Sequence, residues 1–122
     1  MRAVVTRVSS ASVSIDGATV GAIGTGFLVL LGVGPEDTPA HAEKMADKVC
    51  GLRIFEDQDG KTNLALKDVD GELLLISQFT LYANCKKGNR PSFIEAKNPE
   101  EANALYEYII AECKKQIPVV ET

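Results

Sequence analysis

The sequence lacks the features that mark secreted, membrane-spanning and zinc-binding proteins. Its longest apolar segment, residues 27–33, is far too short to cross a bilayer, and its N-terminus does not have the pattern of a signal peptide. The three cysteines, Cys50, Cys85 and Cys113, are widely spaced and form no CxxC pair, which favours reduced thiols over disulfides or a zinc site. We therefore expect a cytoplasmic protein with no membrane partner and no bound metal.

Histidine is scarcer still, since His41 is the only one. It follows Pro39 at the expected start of a helix, and no serine or cysteine stands nearby in sequence for it to activate. A surface position for His41 is favoured over a role in a serine-histidine-aspartate hydrolase. A calcium loop is not supported either, because such a loop needs glycine at its sixth position and Gly60 is fourth from Asp57.

Positive charge is also in short supply. The 122 residues include 13 lysines and arginines against 17 acidic residues, and the net charge is −4, which disfavours nucleic-acid binding through bulk positive charge. Any contact with RNA must come from a local cluster, and the densest one comprises Lys86, Lys87 and Arg90. A hydrophobic fraction of 45% and a charged fraction of 25% are typical of one globular domain, which we place at residues 1–122.

Alternating or continuous apolar residues predict eight β-strands. Asp16-Gly17, between the second and third, suits a two-residue type I′ turn because both central positions of that turn need positive φ. Residues 27–31 are continuously apolar, which is typical of a central strand covered on both faces. The strands are predicted at residues 2–8, 12–15, 18–23, 27–31, 52–56, 64–66, 72–82 and 117–120.

Two helices are predicted where a residue able to cap precedes proline, at Thr38-Pro39 and at Asn98-Pro99. The first should end near Gly51, and its apolar stripe comprises Ala42, Met45, Ala46, Val49 and Cys50. The stripe of the second comprises Ala102, Leu105, Tyr106, Ile109 and Cys113. Strands and helices are mixed without strict βαβ alternation, so the predicted fold class is α+β.

The predicted strand at residues 72–82 changes from wholly apolar to apolar mixed with small polar side chains. In an extended strand, Gln78 and Thr80 would lie on one face, with Ser77 and Phe79 on the other. The polar pair could simply form hydrogen bonds within the sheet. Alternatively, the strand end could present these side chains and its backbone N–H groups to a pocket.

Five sequence blocks, in order, resemble the D-aminoacyl-tRNA deacylase family. The central block is Ser77-Gln78-Phe79-Thr80, which is similar to the family's Ser-Gln-Phe-Thr signature. The other blocks are residues 1–13, 31–33, 52–57 and 87–93. The resemblance covers essentially the whole chain, and it implies a mixed, mostly antiparallel, barrel-like sheet with two helices.

The resemblance is incomplete at the C-terminus. The family continues for some two dozen residues and carries an Asn-x-Gly-Pro element whose Gly-Pro reaches into the partner subunit's pocket. The only Gly-Pro of this chain, Gly34-Pro35, stands in another context. We therefore expect a single domain that is truncated at its C-terminus, with stereochemical selectivity in question.

The resemblance implies hydrolysis of the ester that joins a D-amino acid, or glycine mischarged on tRNA-Ala, to tRNA, without any cofactor. The residues expected to carry catalysis are Ser77, Gln78, Phe79 and Thr80. Thr80 could act as a nucleophile, but the sequence offers no base beside it, so we favour backbone N–H groups that hold the carbonyl while water attacks. The residues expected to bind substrate or tRNA are Arg7, Lys86, Lys87, Arg90, Pro91, Ser92 and Phe93.

Besides tRNA, the resemblance implies a second copy of the chain as partner, in a homodimer with its sites at the interface. Two other functions remain open. One is a catalytically impaired, homodimeric RNA-binding remnant of the same fold. The other, less favoured, is a related deacylase acting on L-amino acids, whose members depart from the Ser-Gln-Phe-Thr pattern.

Overall fold

The computed structural model of the chain describes residues 1–121, which contain eight strands and two α-helices. The strands are β1 (Arg2–Val8), β2 (Ala11–Ile15), β3 (Ala18–Ile23), β4 (Gly26–Gly32), β5 (Phe55–Glu56), β6 (Thr62–Leu64), β7 (Glu72–Ser77) and β8 (Val119–Glu121). The α-helices are α1 (Pro39–Gly51) and α2 (Pro99–Lys114), and 3-10 helices span Leu66–Val69 and Phe79–Tyr82. Thr122, the last residue of the predicted domain, lies outside the described residues.

The central sheet has four strands in the order β1-β4-β7-β8. β1 is antiparallel to β4, whereas β7 is parallel to both β4 and β8. Two antiparallel pairs, β2–β3 and β5–β6, complete the strands, so that three of the five pairings are antiparallel. The predicted α+β fold with a mixed, mostly antiparallel sheet and two helices is confirmed, although the central sheet is open rather than closed across the described residues.

The core lies between this sheet and the two helices, which pack against each other. The fully buried side chains of the two inner strands include Phe27, Val29, Leu73 and Leu75. The Phe27 ring stacks on Phe55, with 5.1 Å between the ring centroids. Both predicted apolar stripes face this core, and only Met45 and Ala102 among their ten residues are partly exposed.

The predicted hairpin turn and the predicted cap of α2 are present, whereas the cap of α1 differs from the prediction. Asp16 and Gly17 adopt φ of 51° and 81°, so the predicted hairpin turn is present, and Asn98 Oδ1 accepts the N–H of Glu101 at 3.0 Å. At α1, however, the Thr38 side chain makes no bond to the helix backbone. His41 Nδ1 instead accepts the Thr38 N–H at 3.0 Å, so the exposed histidine stabilises the start of the helix.

The strand predicted at residues 117–120 begins later, at Val119–Glu121, and three other predicted strands are shorter than expected or displaced. The strand at 52–56 is reduced to Phe55–Glu56, and its partner lies at Thr62–Leu64 because Leu66 already begins a 3-10 helix. The third, predicted at 72–82, ends at Ser77, so residues 78–82 are not extended.

The early end of β7 has a local cause. The Gln78 N–H makes the last bond to β4, donating to the Leu31 carbonyl at 2.8 Å, and β4 itself ends at Gly32. Because Gly32 has no side chain, the chain can fold over it: a Cβ on Gly32 would lie 3.1 Å from Leu81 Cβ and 3.2 Å from the Tyr82 ring. The 3-10 helix Phe79–Tyr82, here called the site turn, occupies that space.

The three cysteines are free, with Cys50 and Cys113 buried in the core and Cys85 exposed. In the part of the chain that the structure describes, no helix is both long enough and apolar enough to span a bilayer. Across the same residues, no three His, Cys, Asp or Glu side chains are grouped so that they could hold a metal ion.

Candidate active site

A cavity of about 440 Å³ opens where β7 ends, between the site turn and the start of α2. Ser77 and Phe79 form one wall, and Phe93 belongs to the loop that forms the other. The remaining lining residues are Ala96, Lys97, Asn98, Pro99, Ala102 and Asn103. Larger hollows exist elsewhere on the surface, but this one adjoins the predicted site residues and is more enclosed than they are.

The site turn leaves two adjacent backbone donors free, and the first of them belongs to Phe79, which lines the cavity. The N–H groups of Phe79 and Thr80 have no acceptor among the described residues, as expected for the first turn of a 3-10 helix, whereas the Gln78 N–H is used by Leu31. The Gln78 N–H is therefore not available to a ligand. Two adjacent donors remain, and such a pair suits a developing oxyanion.

The polar side chains of this segment are organised differently from those of a strand. The Gln78 Nε2 group donates to Thr80 Oγ1, so the two residues expected on one strand face are joined within the turn. The Thr80 hydroxyl has no histidine, carboxylate or lysine as hydrogen-bond partner among residues 1–121. A base that could activate Thr80 as a nucleophile is thus not in contact with it.

Two aromatic rings flank the mouth of the cavity. Phe79 is 57% exposed and Phe93 is 38% exposed, which is unusual for side chains of this size. Their ring centroids are 5.2 Å apart at an interplanar angle of 67°, an edge-to-face contact. Exposed aromatic faces next to a pocket are suited to stacking on a nucleotide base.

The predicted basic cluster lies on an exposed loop that precedes Phe93. A bridge closes this loop, in which the Asn84 N–H donates to the Ser92 carbonyl at 2.7 Å and the Ser92 N–H to the Asn84 carbonyl at 2.8 Å. Within the loop, the exposed residues include Lys86, Lys87, Arg90 and Pro91, and Ser92 is half-buried. None of the three cations pairs with a carboxylate in the described chain.

Arg7 is the one predicted site residue that the fold separates from the others. It pairs with Phe27 near the start of β4, whereas Ser77 pairs with Leu31 at the end of that strand. The two positions are four residues apart along β4, about 13 Å at the usual rise per residue. Arg7 donates to the Ile54 carbonyl at 2.8 Å and lines a separate surface hollow.

Several residues that shape the site are not among those predicted from the sequence. Lys97, Asn98 and Asn103 line the cavity, although the capping pattern had indicated only a helix start at Asn98. Arg2 was read as part of a strand, but its guanidinium donates to the Leu81 carbonyl at 2.8 Å and lies 4.3 Å from the Tyr82 ring centroid. These contacts arise because β1 begins where β7 ends, a juxtaposition that no local pattern reveals.

One carboxylate is strongly held next to the site. Burial opposes the ionisation of Asp37, but hydrogen bonds from the Met1 ammonium group at 2.7 Å and from the Gly34 N–H at 2.7 Å outweigh it. These bonds hold the pKa of Asp37 below its ordinary value. Burial, together with the nearby Asp37 charge, raises the pKa of the Tyr82 hydroxyl, despite the opposing effect of Arg2.

Comparison with known proteins gives one consistent result. Residues 4–122 match the family model described as D-Tyr-tRNA(Tyr) deacylase. The chain is 56% identical over 122 residues to the D-aminoacyl-tRNA deacylase of Clostridium novyi, covering all of this chain and 82% of that protein. It is 59% identical over 110 residues to the D-aminoacyl-tRNA deacylase of Desulfatibacillum aliphaticivorans, covering 90% of this chain and 75% of that one.

Two solved structures share the fold of the chain. The c-Myc DNA unwinding element binding protein superimposes with a TM-score of 0.90 at 39% identity, covering all of this chain and 85% of that one. A probable eukaryotic D-amino acid tRNA deacylase superimposes with a TM-score of 0.80 at 14% identity, covering 93% and 67% of the two chains, and this likeness concerns the fold alone. By its sequence over almost its whole length, the chain belongs to the D-Tyr-tRNA(Tyr) deacylase family.

Proposed function

We propose that this protein is a hydrolase that cleaves the ester bond of D-aminoacyl-tRNA, releasing free D-amino acid and tRNA as a proofreading step in translation. Family membership and the names of relatives above 50% identity support the reaction. The structural observation that carries the proposal is the pair of adjacent unpaired N–H groups at Phe79, which lines the cavity, and at Thr80, the next residue of the site turn.

The chemistry follows from what these donors can do. The Phe79 and Thr80 N–H groups hold the ester carbonyl oxygen and stabilise the negative charge that develops when water adds to the carbonyl carbon. The bond from that carbon to the ribose oxygen then breaks, and a proton passes to the ribose oxygen, assisted by the neighbouring ribose hydroxyl. An aminoacyl ester is already reactive, so orientation and oxyanion stabilisation supply the catalysis without a covalent intermediate.

The supporting residues take roles that match their positions. Ser77 and Phe79 line the cavity that receives the aminoacyl group, and Gln78 holds the Thr80 side chain within the site turn. Phe93 stacks beside a base of the acceptor end, next to Phe79. The basic loop, with Lys86, Lys87, Arg90, Pro91 and Ser92, approaches the tRNA phosphates, and Arg7 contributes from the other end of the sheet.

The protein acts as a homodimer in the cytoplasm, where tRNA is charged and used. Support for the dimer comes from the sheet face turned away from the helices, where Val4, Leu30 and Ile76 are direct neighbours across three strands. Val4 is 48% exposed, and Leu30 and Ile76 are half-buried, so this face presents apolar area to a second copy. Val4→Asp should shift the dimer to monomer in sedimentation, whereas Ile94→Asp, at an 88% exposed position elsewhere, should not.

The decisive experiment is deacylation of matched D- and L-aminoacyl-tRNA by this chain. Faster hydrolysis of the D-form is expected, with Gln116→Ala, which changes a side chain bonded to Asp47 far from the cavity, as a folded control of unchanged rate. Glycyl-tRNA-Ala serves as a third substrate because glycine has no side chain to reject. Faster hydrolysis of the L-form would contradict the proposal.

The alternative of an RNA-binding remnant gives a different result in the same experiment. Such a protein would bind aminoacyl-tRNA without hydrolysing either form.

A further inference from the structure

We propose that Asp37 is a positioning residue for this active site: through the Met1 ammonium group and Gly34 it fixes the site turn that carries the Phe79 and Thr80 donors. The inference rests on the proposed hydrolytic function. Asp37 lies in the loop between β4 and α1 and does not line the cavity. Its effect on the reaction is therefore transmitted through other residues.

The carboxylate of Asp37 uses both oxygens. Oδ1 accepts the Met1 ammonium group at 2.7 Å, and Oδ2 accepts the Gly34 N–H at 2.7 Å. The Asp37 side chain is only 9% exposed, and the Met1 side chain is 1% exposed. Met1 and Asp37 are each partly buried as whole residues, so the pair is only partly open to water and should be stronger than a fully exposed ion pair.

The first connection to the site runs through the start of β1. Met1 is adjacent to Arg2, whose guanidinium donates to the Leu81 carbonyl at 2.8 Å and lies over the Tyr82 ring at 4.3 Å. Leu81 and Tyr82 form the second half of the site turn. Holding Met1 in place thus holds Arg2 against the turn.

The second connection runs through Gly34. A Cβ on Gly34 would lie 2.9 Å from the Tyr82 hydroxyl oxygen, so the backbone at Gly34 packs directly against the Tyr82 ring. Asp37 fixes that backbone twice, since its own N–H also donates to the Gly34 carbonyl at 3.2 Å. Both of these contacts bear on the end of the site turn that lies away from the Gln78–Leu31 hydrogen bond.

The opposite wall of the cavity is tied to the same loop. Lys97, which lines the cavity, donates through Nζ to the carbonyls of Pro35 and Asp37, both at 3.2 Å. The Lys97 N–H donates to the Val33 carbonyl at 3.0 Å. The loop around Asp37 therefore sets the spacing between the two walls, and small displacements of reacting groups have large effects on rate.

The test combines two changes that break the same ion pair. Asp37→Asn removes the carboxylate charge, and acetylation of the Met1 amine, or an extension ahead of Met1, removes the ammonium group. Each is expected to lower kcat on D-aminoacyl-tRNA about tenfold with little change in KM, and the double change should lower kcat no further than one alone. Glu36→Gln, an exposed neighbour of Asp37, is the matched control and should leave kcat unchanged.

Two further measurements distinguish a positioning effect of Asp37 from a loss of folding and from a failure of the proposed hydrolytic function. Assays are run well below the lowest melting temperature, where all variants are folded, so an unchanged kcat or fully additive losses would overturn the proposal. Amide NMR shifts of Phe79 and Thr80 are expected to move in Asp37→Asn and to stay in place in Glu36→Gln. If the unmodified chain hydrolyses no aminoacyl-tRNA, the proposed function is wrong. If the Phe79 and Thr80 amide shifts do not move in Asp37→Asn, the positioning role of Asp37 is wrong.

Discussion

At the scale of single residues, the Thr80 hydroxyl separates two mechanisms. It accepts a hydrogen bond from the side-chain amide of Gln78, a group that cannot remove a proton. A nucleophilic role would need a base, and the oxyanion mechanism needs only the Thr80 backbone. The side chain should therefore be dispensable for the chemical step.

Thr80→Ala is accordingly expected to retain deacylation within about tenfold of the parent protein, measured as kcat on D-aminoacyl-tRNA. Loss of a true nucleophile costs on the order of 10⁶-fold in a serine hydrolase, so the two mechanisms differ by far more than experimental error. Thr80→Ser, which keeps the hydroxyl, is the control. Abolished activity in a folded Thr80→Ala protein, with activity kept in Thr80→Ser, would instead indicate covalent catalysis.

Residue types indicated candidates for the site but not how those residues are arranged. The signature residues 77–80 were identified from sequence, and the structure places Ser77 and Phe79 on the cavity wall with Phe93 in contact. Arg2 and Lys97 could not be predicted because their contacts are distant in sequence. Arg2 contacts a residue 79 positions away, and Lys97 contacts residues 60 and 62 positions away. Local patterns report neighbours along one element, and these contacts depend on how elements are arranged in space.

At the scale of elements, the end of β7 shows where a periodic pattern misleads. The alternation of residues 77–82 fits a strand, but the last paired residues are Leu31 and Ser77, and the chain then folds over Gly32 as a 3-10 helix. The turn that results frees the Phe79 and Thr80 donors, which an extended strand would have presented to a neighbouring strand. The helices, in contrast, were predicted closely, because proline and the apolar stripes mark them locally.

The basic loop gives a prediction at this scale. Reversing two charges with Lys86→Glu and Lys87→Glu should weaken tRNA binding and reduce the slope of log affinity against log salt by about 1 to 2, as expected for two lost phosphate contacts. Binding titrations over a range of salt concentrations measure both quantities.

The matched control changes the same amount of charge elsewhere. Lys61 and Lys67 are exposed and lie near the β5–β6 hairpin and the following 3-10 helix, apart from the cavity. Lys61→Glu with Lys67→Glu should leave the slope near that of the parent. Equal effects in both double variants would mean that net charge, rather than this loop, governs binding.

At the scale of the whole molecule, the partly buried Asp37 ion pair links stability to pH. Its folded-state pKa is lowered, so the carboxylate stabilises the folded protein above the unfolded-state value, about 3.9 for aspartate. That contribution falls away as the pH drops through the folded-state pKa. Acid should therefore weaken the attachment of the N-terminus before the rest of the core is affected.

Urea unfolding at pH 7 and near pH 3 tests this dependence. Asp37→Asn should be less stable than the parent at pH 7, and the difference should shrink at pH 3, where the parent carboxylate is increasingly protonated. Glu36→Gln, at an exposed position, should differ little from the parent at either pH. A difference between Asp37→Asn and the parent that is independent of pH would show that its cause is not the charge.

The single bond from the Gln78 N–H to Leu31 marks a boundary in how the backbone exchanges hydrogen with solvent. Inside it, amides of β7 such as that of Leu75 are enclosed by β4, β8 and the helices, so their deuterium uptake should require global opening. Beyond it, the N–H groups of Phe79 and Thr80 have no hydrogen bond within the described chain that must break before they exchange. The two donor amides should therefore exchange rapidly although they follow directly on slowly exchanging amides of β7. Binding of an ester analogue should slow deuterium uptake at these two amides alone.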